Sequence, residues 1–151
     1  MKALRGILRP FYSLRNVCAP STCIGVFHAL VHSRLTYGCI IWGGTYESRL
    51  KPLITLEKHF IRIICKAKRS EHSFPLFSQM NVLPLRSFYL YKVLRLFFVR
   101  SGGGIVIEPS RTRQKMRIDV PRPHIEFFKR TFNYIGPLWF NDLPDEIFYV
   151  L

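Results

Sequence analysis

Acidic residues are scarce in this chain: 9 Asp and Glu stand against 23 Lys and Arg in 151 residues. Asp occurs only at Asp119, Asp142 and Asp145, and no two Asp are adjacent. Two-metal polymerases and nucleases hold their ions with clustered carboxylates, so the composition excludes that chemistry. Asp142 and Asp145 flank Pro144, a context typical of a helix N-terminus, where acids favour the dipole. The 4 cysteines form no Cys-x-x-Cys pair, which fits free, mostly buried thiols in a reducing compartment. His28 and His32 have the i, i+4 spacing of a zinc pair. Cys23 lies too close to His28 for a zinc-finger loop, however, and no Glu adjoins His28 to act as base, so a structural role is expected. Gly102, Gly103 and Gly104 lack the Lys-Ser/Thr of a phosphate-cradling loop. The apolar stretch 81–99 is broken by Arg86, Lys92 and Arg95, which excludes a membrane span there. No Ser-His-Asp or Cys-His arrangement is visible. No cofactor, metal, membrane or small-molecule substrate is therefore expected, and the chain itself is not expected to be an enzyme.

What remains is a basic, aromatic-rich chain with a net charge of +14, 48% hydrophobic and 15% aromatic. That apolar content builds a core, and this is not the composition of a disordered chain. The excess of Lys and Arg points to an anionic partner, most simply RNA or DNA, through release of phosphate counterions. The first acid is Glu47, preceded by Arg5, Arg9 and Arg15, so a mitochondrial presequence on a basic protein is an alternative.

Local patterns predict helices. Residues 2–16 read as a short basic helix. Pro20 and Ser21, the latter as N-cap, start a second. Ile24, Phe27, Val31, Leu35, Gly38 and Trp42 recur at helical spacing, so one helix is expected to run to Gly43-Gly44, with Gly38 tolerated for a close helix contact. Glu47 to Lys66 is the most informative stretch. At about 100° per residue, Lys51, Lys58, Arg62, Lys66 and Arg69 share one narrow face, opposite Leu53, Leu56, Phe60, Ile63 and Ile64. Five like charges on one stripe repel each other, so a phosphate strand is the expected neighbour. Pro52 places the regular start nearer Leu50. Pro75 suits a first helical position, and Ser87 to Arg100 forms a further helix. Ser101 to Gly104 reads as a hinge. Arg111, Arg113, Lys115, Arg117 and Arg122 lie in an irregular basic loop, Ile125 to Asn133 as a strand, and the last prolines at turns or helix starts.

Four separated pieces then line up. They are "FHALVHSRLTYGCIIWGG" with Tyr37, Gly38, Trp42 and Gly43; "LEKHFIRIICKAKRSEHSFPLF"; "NVLPL"; and "FNYIGPLWFNDLPDEI" with Gly136, Pro137, Asn141, Leu143 and Pro144. In this order the chain resembles the C-terminal, post-palm region of non-LTR (LINE-class, jockey-like) retrotransposon reverse transcriptases, from about Leu4 to Ile147. Phe140 stands where that family more often has Trp, with Trp139 before it. The resemblance implies thumb and downstream sequence without the catalytic palm, whose aromatic-x-Asp-Asp motif would hold Mg2+, and without the endonuclease. It makes Tyr37 and Trp42 core anchors and leaves no catalytic residue to carry over.

The resulting expectation is a mainly α protein. A helical, bundle-like, thumb- or connection-like region spans 1–100, a basic Gly-containing linker 101–124, and a small, truncated α+β motif region 125–151. The expected function is sequence-independent nucleic-acid binding by a remnant of an RNA-directed DNA polymerase polyprotein. The alternative is a protein-interaction module that docks on the rest of the reverse transcriptase.

Overall fold

The computed structural model describes residues 2–101 and 118–144, and over these the chain is mainly helical. The elements are α1 (Lys2–Val17), α2 (Pro20–Phe27), a π-helical turn (His28–His32), α3 (Ser33–Thr36), α4 (Cys39–Trp42), α5 (Glu47–Ile64), α6 (Ser73–Gln79), α7 (Leu85–Arg100), a 3-10 turn (Phe128–Arg130) and α8 (Phe132–Asn141). The packing forms two compact units, one of Met1–Cys39 with Thr45–Tyr89, the other of Ile40–Gly44 with Leu90–Leu151. The glycine hinge at 102–104 and the basic positions Arg111, Arg113, Lys115 and Arg117 lie outside the described residues.

In the first unit, α5 is the hub and packs against α1, α2 and α6. Its inward stripe is Leu50, Leu56, Phe60, Ile61, Ile63 and Ile64, all buried. Phe60 meets Phe11 of α1 edge-on at 5.0 Å and Phe27 of α2 at 6.1 Å, an aromatic cluster that fixes the three helices together. The helix begins at Glu47, with Pro52 inside it rather than in its first turn. The carbonyl that Pro52 cannot bond belongs to Ser48, an exposed residue.

The expected single helix from Ser21 to Gly44 is not found. It starts with Pro20 at its first position and Ala19 as N-cap, and it ends at Thr36. The backbone stays right-handed through His28–His32 while the hydrogen bond from Ser33 reaches back to His28, five residues away. Ser33 Oγ then donates to the Ala29 carbonyl (2.6 Å) and Thr36 Oγ1 to that of His32 (2.8 Å), side-chain bonds made back to the preceding turn. Gly38 adopts φ 61°, a left-handed turn that separates α3 from α4. Its glycine serves this turn rather than the mid-helix contact expected from the sequence.

In the second unit, the Phe97 ring of α7 packs at a tilt against Phe140 (5.6 Å) and Phe132 (6.3 Å) of α8. A Cβ on Gly136 would lie 2.8 Å from the Phe97 ring, so only glycine permits this approach. The expected α+β piece is not supported, and no strand occurs among the described residues. The stretch 125–133 is instead drawn into tight turns by bonds from Phe128 to Ile125 and from Arg130 to Phe127, beside a 2.8 Å Lys129–Glu126 ion pair. Pro137 lies inside α8, not at a turn.

Candidate nucleic-acid interface

Helix α5 carries Lys51, Lys58 and Arg62 on its outward side, where Lys51 is exposed and the other two are half-buried. Spacings of seven and four residues on one continuous helix hold these three within about 40° of each other. Lys66 and Arg69 do not continue the helical ridge, because α5 ends at Ile64. The end is a Schellman motif: the Ala67 N–H donates to the Arg62 carbonyl (3.0 Å) and the Lys66 N–H to that of Ile63 (3.2 Å). Lys66 occupies the left-handed position at φ 54°, where glycine is usual. Arg69 follows in an exposed turn.

That turn is fastened to the helix. Arg62 Nε donates to the Glu71 carbonyl (3.0 Å), and the Glu71 carboxylate accepts the Lys68 N–H (3.2 Å). The turn thereby presents Arg69 beside Arg62. Both line a cleft of about 290 Å³, together with Tyr12 and Arg15 of α1 and His59 of α5. Among the described residues none of Lys51, Lys58, Arg62, Lys66, Arg69 or Arg15 makes an ion pair. Positive charge therefore gathers here with Glu71 as the acid of the turn and no carboxylate within ion-pair distance of these side chains among the described residues.

The sequence pattern does not single out Tyr12, Arg15 and His59 for binding. The available signal was the i, i+3 pairing of Tyr12 with Arg15 on a basic helix. Its meeting with α5 is a tertiary fact. The Arg15 guanidinium lies 5.0 Å from the Tyr12 ring centroid.

The motif residues take separate structural roles. Tyr37 is 85% exposed, so it does not anchor the core; the chain turns at Tyr37 itself (ψ 122°) and carries its side chain outward. Trp42 is half-buried and Gly43 buried. Gly136 and Pro137 are buried, Leu143 half-buried and Pro144 exposed. Asn141 bonds Ile118 reciprocally: its Oδ1 accepts the Ile118 N–H and its Nδ2 donates to the Ile118 carbonyl, both at 2.8 Å. Arg122 is exposed.

Glu57 and the half-buried His32 lie apart from the cleft. Glu57 of α5 is fully buried, and its Oε2 accepts the Leu85 N–H at 3.0 Å, which caps the start of α7. Burial pushes its carboxyl up to about 7. His32 is lowered by burial and by neighbouring His28, whose ring lies 5.1 Å away. No group of His, Cys, Asp or Glu able to hold a metal ion occurs among the described residues, and no described helix is long and apolar enough to cross a membrane. No family model, curated protein or solved structure matches the chain.

Proposed function

We propose that this chain is a non-catalytic, nucleic-acid-binding segment of a non-LTR retrotransposon reverse transcriptase, from the region behind the palm. The intact parent, as the resemblance implies, copies RNA into DNA with Mg2+ held by its palm. This segment supplies sequence-independent grip on the template-primer. The observation that carries the reading is the basic face of α5 and its cap, where Lys51, Lys58, Arg62, Lys66 and Arg69 gather with no ion pair among the described residues. A phosphate strand is the partner that removes such repulsion and gains entropy from released counterions.

The test is the salt dependence of binding. Lys51→Gln, Lys58→Gln and Arg69→Gln together leave the buried stripe and the Arg62 bond to Glu71 intact. They should weaken binding equally across sequences and flatten the slope of log K against log salt by about two to three, at roughly 0.7 to 0.9 per phosphate contact. An unchanged slope in a variant with native circular dichroism would reduce the ridge to a solvated face.

A second reading, a module that docks on the rest of the polymerase, is favoured by a different place. Phe74, 77% exposed, and Leu83 line an apolar groove of about 320 Å³ beside α6.

A further inference from the structure

We propose that the cleft between α1 and α5 holds one unstacked nucleotide of a single strand, its base against Tyr12 and its phosphate between Arg15, Arg62 and Arg69. This deepens the nucleic-acid reading and rests on it. The ridge alone follows a backbone and does not distinguish a single strand from a duplex. The cleft does.

Three observations converge there. The first is the lining: three arginines, a histidine and an exposed tyrosine, with no acid among them. The second is Arg15. Its Nε is buried against the protein and has no hydrogen-bond partner. A buried guanidinium N–H left unpaired costs free energy, and Arg15, which lines the cleft and makes no ion pair among the described residues, still has its terminal N–H groups to offer a phosphate oxygen. The third is Tyr12, 51% exposed with the Arg15 guanidinium stacked on it. An aromatic ring already polarised by a cation, half open to solvent and beside unpaired arginines, is a stacking platform for a base.

The dimensions agree. A cleft of about 290 Å³ is close to the lower end of the size of ligand pockets, about 300–1,000 Å³, which suits a single nucleotide. The neighbours of the bound nucleotide then run along the α5 ridge. Arg62 is shared: its Nε is committed to the Glu71 carbonyl, which fixes the plane of the guanidinium and leaves its terminal N–H groups for the phosphate.

The experiment compares three fluorescein-labelled probes on the full chain: a short oligothymidylate, an abasic strand of the same length, and the corresponding duplex. The native chain should prefer the base-bearing strand over the abasic one by roughly tenfold, since one stacked base contributes on the order of 1–3 kcal/mol. Tyr12→Leu should abolish that preference without altering the salt slope or duplex binding, because stacking releases no counterions. Tyr12→Phe should retain it. Tyr12 is half exposed, so both variants should fold, and an unchanged melting temperature checks this. Equal binding of the two strands by the native chain, or a preference that survives Tyr12→Leu, overturns the nucleotide site. If duplex and abasic binding persist meanwhile with a slope that responds to the Lys51, Lys58 and Arg69 changes, the basic-face reading stands alone. Binding to none of the probes overturns both. If thymidine monophosphate competes as well as the oligonucleotide, the cleft takes free nucleotides and the single-strand assignment falls.

Discussion

The connection after α5 and the connection after α6 begin alike and end differently. Each opens with a Schellman cap. At α6, Val82 donates to the Phe77 carbonyl and Asn81 to that of Ser78, both at 3.0 Å, and Asn81 takes the left-handed position at φ 52°. At α5 the same position is Lys66. Asparagine tolerates that conformation, whereas lysine gains nothing there from its backbone. The α6 connection then turns inward: Val82 and Leu85 are buried and Glu57 holds the Leu85 N–H. The α5 connection stays in water, basic and tied by Glu71. The same backbone device is thus used once to lead the chain into the core and once to hold positive charge at the surface.

The largest effect is expected in the dry connection. Glu57 is raised from 4.5 to about 7, so below about pH 4.5 both folded and unfolded states carry its proton. Between those values the unfolded chain releases the proton and the folded chain keeps it, so stability falls as pH rises, by about 3 kcal/mol in total. Glu57→Gln removes this loss. Urea denaturation should find the variant more stable at pH 8 by up to about 3 kcal/mol and should show a flatter difference across this window. His32 acts in the opposite direction, because a lowered histidine loses stability as pH falls below its ordinary 6.5. It is common to both proteins and cancels in the difference. A variant less stable at pH 8 would mean that the ionised carboxylate is needed to hold α7.

A smaller effect separates the two caps. Lys66→Gly relieves a left-handed lysine and should raise stability by about 0.5–1 kcal/mol, after allowance for the freer unfolded chain. The same change should lower the salt slope of binding by somewhat less than one. Asn81→Gly, at the matching position, should shift stability by only a few tenths of a kcal/mol and leave binding alone. Equal stability changes at the two positions, read by urea titration, would erase the distinction drawn between them.

Much of the first unit is legible in the sequence. Leu56, Phe60, Ile63 and Ile64 lie opposite Lys51, Lys58 and Arg62 by simple period counting, and the structure buries the first set. Glu57 was also visible in principle, as an acid in phase with Phe60, Ile61 and Ile64. Its burial depends on the Leu85 N–H, 28 residues away, which no local pattern contains. The helix expected over roughly Glu47 to Lys66 ends two residues earlier, at Ile64, where no glycine marks the end. The strand expected at 125–133 followed the apolar run of Ile125, Phe127 and Phe128, and short-range turn bonds prevailed over that pattern. The cleft was missed for a different reason. Tyr12 and Arg15 lie on α1, Arg62 and Arg69 on and after α5, and only packing brings them together.

The π-helical turn has a consequence for chain length. Cys23, Phe27, Val31 and Leu35 are all buried, and they recur every four residues. In an α-helix of 3.6 residues per turn such a series drifts by about 40° at each step and soon leaves the core. The wider turn at His28–His32 takes back part of that drift within one segment. It behaves as an α-helix that has absorbed one added residue. Removal of exposed Ala29 would leave Phe27 three residues from the present Val31, a spacing that a plain α-helix keeps on one side. Deletion of Ala29 is therefore expected to keep Phe27 and Val31 on one buried side, with a cooperative thermal transition of the shortened chain as the check.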